Sequence, residues 1–238
     1  MEAMIFAAGL GTRLRPLTDN KPKALVEVCG ETLLKHCIKM LVDNGADKIV
    51  INVHHFADLM KDYIAKLQYG IDIQISDESD LLLDTGGGLK KASKLFSGNA
   101  PIIIANVDIL TNIDLKAMMQ CHLNTKADAT LAIRSRKSSR YLLFDNNQNL
   151  KGWQNTKTGE AIYVDSADGL SQYAFSGIHI MSPSLFDKFP DEQVFPIIPH
   201  YLNLAKENRI IGYRHQDDYW FDCGSVDKIA EAEAFLNK

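Results

Sequence analysis

No two of the four cysteines stand close enough to suggest a clip: Cys29, Cys37, Cys121 and Cys223 are scattered, with no CxxC pair. That pattern excludes a disulfide framework or a zinc site and predicts free thiols in a reducing compartment. Positive charge is not in excess either. A net charge of −4 gives no broad attraction to nucleic acid or anionic membranes. Any anion must therefore be met by cations gathered locally. No apolar run approaches the ~20 residues needed to cross a bilayer, and the opening Ala3–Ala8 lacks the basic lead and length of a signal peptide. These absences predict a cytoplasmic protein without a membrane partner. No linker, repeat or low-complexity tract divides the chain, so one domain is expected. What is present is ordinary for a soluble α/β protein: 238 residues, 46% hydrophobic and 24% charged, enough to build a core without staples.

The first half alternates strand and helix patterns. Strands are predicted at Ala3–Ala8, Lys48–Val53, Ile71–Ser76 and Pro101–Val107. Leu33, Leu34, Cys37, Ile38 and Leu41 fall at helical spacing, and further helices are predicted at Ala57–Leu67, Leu89–Phe96 and Asp114–Leu123. This rhythm implies βαβ units and a mainly parallel sheet. After about residue 128 the pattern shifts to short strands at Ala129–Arg134, Tyr141–Asp145 and Leu150–Trp153, with a turn at Asn146-Asn147. Tyr173–Met181 reads as a buried strand, Val194–Glu207 as a helix and Arg209–Arg214 as a strand. Ser225 is placed to cap a closing helix to Leu236.

Phe6 to Val28 reads FAAGLGTRLRPLTDNKPKALVEV. Its glycines, Gly9 and Gly11, are followed by Leu14 where a dinucleotide fingerprint needs a third glycine, and the next helix begins only near Thr32. The GK[ST] of a Walker loop is also absent. Small residues at Ala7, Ala8, Gly9 and Gly11 nevertheless let a phosphate approach the backbone up to Thr12. Arg13 offers a guanidinium fork and Lys23 a mobile point charge. Pro16 and Pro22 stiffen the excursion between them. Arg15 and Lys21 read as a solvated rim.

These residues, Ala7-Ala8-Gly9-Leu10-Gly11-Thr12-Arg13-Leu14-Arg15-Pro16-Leu17-Thr18 and then Pro22-Lys23-Ala24-Leu25, resemble the signature of the sugar-1-phosphate nucleotidyltransferases. The resemblance runs through the whole chain. It is nearest to the short subgroup that includes N-acetylmuramate 1-phosphate uridylyltransferase and the mannose and heptose 1-phosphate guanylyltransferases. It implies a Rossmann-like three-layer sandwich of GT-A-like type, with a mixed, mainly parallel sheet and a small antiparallel insertion. Residues 1–127 would mainly serve the nucleotide, and residues 128–238 the sugar and the closing helix. The implied reaction joins a nucleoside triphosphate to a sugar 1-phosphate and releases pyrophosphate. UTP with N-acetylmuramate 1-phosphate is expected first, and GTP with mannose or heptose 1-phosphate next; the alternative is a binding subunit without turnover.

Phosphoryl chemistry of this kind calls for charge neutralisation and in-line placement, work suited to Mg²⁺ on one or two carboxylates. Asp108 and Asp222 are the carboxylates that the resemblance marks as metal ligands, although a helix cap and an Asx turn are their plain structural alternatives. Val107 stands where the family commonly has glycine. Arg13 and Lys23 are implied as the catalytic cations. Thr85, Gly86 and Gly87 of the DTGGG segment are implied as base contacts, or else form a flexible turn that starts a helix. Asn106 is expected to hold a hydroxyl, or to be a satisfied buried amide. Ser176 and Gly177 are implied at the sugar, with a bulge as the other reading. The Glu-Lys pair with which many relatives hold the sugar phosphate has no clear equivalent; Trp153, Asn155 and Lys157 occupy that vicinity. His54 and His55 read as structural or solvated. A monomer or small homo-oligomer is expected.

Overall fold

Ala3 and Ile5 turn to one face of the first strand and Met4 to the other, and this period of two sorts the whole core. The computed structural model describes residues 1–237. Its first half runs β1 (Glu2–Phe6), the small hairpin β2 and β3 (Glu27–Val28, Glu31–Thr32), α1 (Leu33–Asp43), β4 (Lys48–Val53) and α2 (Ala57–Ile64). There follow β5 (Asp72–Asp77), α3 (Asp84–Ala92), β6 (Ile102–Asn106), β7 (Ile109–Thr111) and α4 (Leu115–Thr125). The second half has β8 (Ala129–Arg134), β9 (Arg140–Phe144), β10 (Leu150–Asn155), β11 (Ala161–Tyr163) and β12 (Ser171–Met181). It closes with α5 (Ile197–Leu204), β13 (Ile210–Arg214), β14 (Trp220–Asp222) and α6 (Val226–Leu236). None of these helices is long and apolar enough to cross a membrane.

β5, β4, β1 and β6 lie side by side and parallel, as the helical crossovers between them require. β12 then joins antiparallel to β6, and β8 with β13 continues the sheet beyond it. Ala3, Ile5, Ile49, Ile51, Ile103 and Ala105 face α1, α2 and α4, whereas Met4, Val50, Ile102 and Ile104 face α3 and α5. The result is a three-layer α/β sandwich on a mixed sheet. The antiparallel portion is no separate insert. The first residues of β12, Ser171–Tyr173, pair with β9, and its last, Ile178–Met181, pair with β6. Between them the ladder opens at Gly177, whose φ of +79° suits glycine.

Several boundaries move from their sequence-based positions. β1 ends at Phe6, because the next amide, Ala7 N–H, donates to the Asn52 side chain at 2.7 Å instead of to a strand neighbour. α2 stops at Ile64, where Leu67 N–H closes a tight turn on Ile64 O. α5 is eight residues long, shorter than Val194–Glu207, because residues 190–196 leave to dock on α3. Asp114, the first residue of the predicted helix, caps α4 with its carboxylate. Ser225 stands at the cap of α6, but its hydroxyl makes no capping bond. All four cysteines are free.

The core also buries histidines. His122 is held between Thr130 Oγ1 and Ser182 Oγ, at 2.9 and 3.0 Å. His179 stands in an aromatic cage with Phe6, Phe175 and Tyr201, and neither of its ring nitrogens meets a partner among the described residues. Burial lowers these two imidazoles to about 4 and about 3, respectively. A depressed folded pKa favours the neutral ring, so its stabilisation is complete above about 6.5 and is lost as the pH falls toward 4 and 3. Each ring is expected to remove about 1.4 kcal/mol per pH unit in that window. Urea denaturation at successive pH values will show this slope, and His179→Phe will reduce it by about 1.4 kcal/mol per pH unit. An unchanged slope in that variant would exclude His179 as a source.

Candidate active site

The open end of the parallel strands brings several of the expected residues around one cavity of about 410 Å³, which Arg13, Ser176, Gly177 and Asp222 do not line. Ala7, Ala8 and Gly9 form its lip, with Lys23, Thr85, Asn106 and Asp108 on the walls. The loop that follows β1 is fastened from within. Thr18 Oγ1 and Leu14 N–H both donate to Gly11 O at 2.9 Å. Gly11 itself has φ +64° and backs onto Thr18 and Lys23, where a Cβ would lie 3.0 Å from the lysine stem. Leu14 occupies the place that a dinucleotide loop gives to its third glycine. Here it is fully buried in a small separate core with Val26, Val28, Leu33, Leu110, Cys223, Ile229 and Ala232. The loop is thus anchored by an apolar plug under it, leaving Thr12 and Arg13 exposed above.

Two three-residue strands bring the acids together. β7 follows Asp108 and β14 ends in Asp222, and they pair antiparallel with Asp222 opposite Ile109. Cys223 N–H donates to Asp108 O at 2.8 Å, locking the two turns. Burial raises the pKa of Asp222, and the nearby charge of Asp108 adds to it, against Lys23 and Arg13. Lys23 Nζ makes an ion pair with Asp108 Oδ2. Arg13 lies against the next turn: a Cβ on Gly224 would be 2.6 Å from its Nη2 and 2.7 Å from Asp222 Oδ1. Two crowded carboxylates thus stand beside two cations, Lys23 and Arg13. No group of three or more His, Cys, Asp or Glu gathers among the described residues. A divalent ion held by this pair would take only oxygen from the protein and leave most of its shell to water and phosphate.

A buried polar chain backs the cavity. Asn52, having accepted from Ala7, donates to Glu78 Oε1 at 2.7 Å, and Leu83 N–H donates to Glu78 Oε2 at 3.3 Å. Glu78 is fully buried, and its pKa is raised by that burial, with Asn52 and Leu83 opposing. His54 Nδ1 contacts the Glu78 carbonyl at 2.6 Å, a structural role for that histidine. Sequence reasoning missed Glu78. Its signal was its position, the first residue past β5 on the sheet edge where open α/β folds bind ligands.

The DTGGG segment is helix, not an open turn. α3 starts at Asp84, five residues ahead of the expected Leu89. The Cβ directions of Gly86 and Gly87 point at the protein: Phe195 Cε2 would be 2.3 Å from one and Gln193 O 2.0 Å from the other. Gly86 and Gly87 N–H groups both donate to Phe195 O, so these glycines form the bed for residues 193–195. Thr85 Oγ1 accepts from Ile197 N–H at 2.9 Å and so caps α5 from another helix. Thr85 also borders a second cavity of about 490 Å³, lined by Tyr141, Trp153, Asn155, Phe175 and Pro196 among others. Trp153 and Asn155 thus reach this second cavity, and Lys157 does not line it.

Gly177 backs onto Asn106, where a Cβ would be 3.0 Å from Asn106 Nδ2. Ser176 differs from expectation. It is fully buried, and its Oγ is 2.7 Å from His215 Nε2 instead of facing a sugar hydroxyl. His215 Nδ1 donates to Asp218 Oδ2 at 2.6 Å, leaving Nε2 to accept from the serine hydroxyl. Arg134 in turn pairs with Asp218 at 3.0 Å. The relay holds β12 to the segment before β14; it presents no nucleophile to either cavity.

Comparison with known proteins gives a consistent result. The family profile described as Nucleotidyl transferase matches residues 2–238. N-acetylmuramate alpha-1-phosphate uridylyltransferase of Caulobacter vibrioides is 35% identical, over 98% of this chain and 96% of that protein. The protein of the same name from Neisseria meningitidis serogroup B is 31% identical, over 98% and 97%. The crystal structure of HddC from Yersinia pseudotuberculosis shares the fold, with TM-score 0.79 over 99% of each chain at 21% identity.

Proposed function

The chain belongs to the nucleotidyl transferase family, and from that premise we propose that it transfers the uridylyl group of UTP to N-acetylmuramate 1-phosphate, releasing pyrophosphate. The observation that carries this reading is the full-length likeness, above 30% identity, to two proteins of that one name. The paired cavities support it. The parallel half (residues 1–127) offers the phosphate loop and the first cavity to the nucleotide. The second half (residues 128–238) offers a cavity with aromatic walls on which a sugar ring can stack and with Arg140 on its lining to meet a carboxylate substituent.

In the proposed reaction an oxygen of the sugar phosphate attacks the α-phosphorus, and the bond from that phosphorus to the pyrophosphate oxygen breaks. Mg²⁺ held by Asp108 and Asp222 would neutralise the phosphate oxygens brought together there. The backbone from Ala7 to Thr12 seats the triphosphate, and Arg13 takes up the charge of the departing pyrophosphate. Lys23, released from Asp108 as the site fills, steadies the α-phosphate. Thr85 and the glycine-packed start of α3 set the wall against which the base lies. Asn106 and Gly177 stand between nucleotide and sugar. No side chain acts as a nucleophile.

The test is a panel of UTP, GTP, dTTP and ATP against N-acetylmuramate, mannose and glucose 1-phosphates, read by pyrophosphate release. UTP with N-acetylmuramate 1-phosphate is expected to give the highest kcat/KM by at least ~10-fold, the size of about 1.4 kcal/mol in discrimination. A higher value for GTP with mannose 1-phosphate would overturn the assignment.

A further inference from the structure

The sugar 1-phosphate brings a dianion to a centre whose cations are already matched. Lys23 pairs with Asp108, Arg13 lies on Asp222, and Arg134 is bound to Asp218. One more guanidinium borders this centre. Arg136, two residues past the end of β8, is half-buried and joins no ion pair among the described residues. Its guanidinium carbon stands 4.3 Å from the centre of the Trp220 ring, and Nη2 donates to Phe175 O at 3.0 Å. Nε is buried without an acceptor, and Nη1 has no bond from the protein.

Both of its supports belong to the site. Phe175 lines the sugar-side cavity, and Trp220 lies two residues before Asp222 on β14. The indole Nε1–H donates to Ser176 O at 2.9 Å, so the ring is fixed between β12 and the acid. Desolvation weakens the charged form of Arg136 while the charge of Asp222 favours it, which puts the guanidinium within electrostatic reach of that carboxylate. An arginine held flat on an indole has little rotamer freedom left to lose, and its free fork suits a phosphate.

We propose that Arg136 binds the phosphate of the sugar 1-phosphate, from its seat on Trp220 beside Asp222. It does the work for which the sequence offers no Glu-Lys pair. The inference rests on the transferase reading above. Wild-type turnover in the substrate panel secures that reading first, and the variants then test Arg136 alone.

Arg136→Gln is to be assayed with UTP and N-acetylmuramate 1-phosphate, or whichever pair the panel selects. Loss of one charge-assisted phosphate contact is expected to raise KM for the sugar phosphate ~10- to 100-fold. KM for the nucleotide should stay within about twofold, a split that general disturbance of the fold cannot produce. Orthophosphate should inhibit the wild type competitively with the sugar phosphate and the variant correspondingly less. Arg136→Lys keeps the charge and gives up the flat stack, and should recover part of the loss; it also decides the matter if the Gln variant does not fold. A sugar-phosphate KM within about twofold of wild type in a folded variant, or an equal rise for both substrates, would overturn the proposal and leave Arg136 a clamp on Trp220.

Discussion

Asp222→Asn is expected to lower kcat on the order of 10³-fold, about 4 kcal/mol of transition-state stabilisation, without loss of folded stability. The substitution is nearly isosteric. Asn Oδ1 can still accept the Gly224 N–H that Asp222 accepts at 3.0 Å, so the turn before α6 survives. What disappears is one of two carboxylates held close together by β7 and β14. Burial and the charge of Asp108 both disfavour ionised Asp222, so neutralising it relieves repulsion between the two acids. The thermal midpoint should therefore hold or rise while pyrophosphate release collapses; Asp108→Asn should lose turnover alike but lower the midpoint, because it strands Lys23 without its ion-pair partner. Near-normal kcat in either variant, at saturating UTP, sugar phosphate and Mg²⁺, would remove the carboxylates from the metal role.

Gly87→Ala is expected to damage the protein by a different route. Its new methyl carbon would stand 2.0 Å from Gln193 O, a backbone atom that cannot turn aside. Either α3 or the 190–196 segment must shift. Overpacking of this kind costs about 1–3 kcal/mol, and for a chain of this size roughly 2–4 °C of thermal midpoint per kcal/mol. The segment is also held by Lys90, whose Nζ donates to the Pro190 and Asp191 carbonyls. It carries Val194 on the first cavity and leads into Pro196 on the second. A lower midpoint should thus come with a raised KM for both substrates. Gly9→Ala is the steric control. Nothing lies within 4 Å of its Cβ position, so the midpoint should not move. Equal stability of the Gly87 and Gly9 variants would mean that the helix–loop packing matters little.

Much of this was legible in the sequence, for reasons that individual residues make plain. Lys48–Val53 was placed to the residue because a nearly continuous apolar run between turn signals leaves little choice. The helix predicted from Asp114 begins one residue later, with Asp114 as its cap. Asp108 and Asp222 were paired only through the family resemblance. The strands that join them, Ile109–Thr111 and Trp220–Asp222, are too short to show a period. The three glycines misled because a helix start rich in glycine violates propensity. Only the position of Phe195 and Gln193, more than a hundred residues on, shows why side chains are excluded there. Ser176, too, looked free to meet a ligand, since nothing near it in sequence reveals His215. Glu78 and Arg136 stood among many charged residues, and what sets them apart is burial, a property of the fold.

The short ladder between β7 and β14 also ties two distant stretches of chain together. Asp108 and the glycine loop both belong to the parallel half, where β1 lies between β4 and β6. Asp222 lies 114 positions beyond Asp108 (222 − 108) and meets it only through that ladder. The plug beneath the loop likewise takes in Ile229 and Ala232 of α6. The paired acids and the seated loop are thus properties of the whole fold, since each is completed by residues at the far end of the chain.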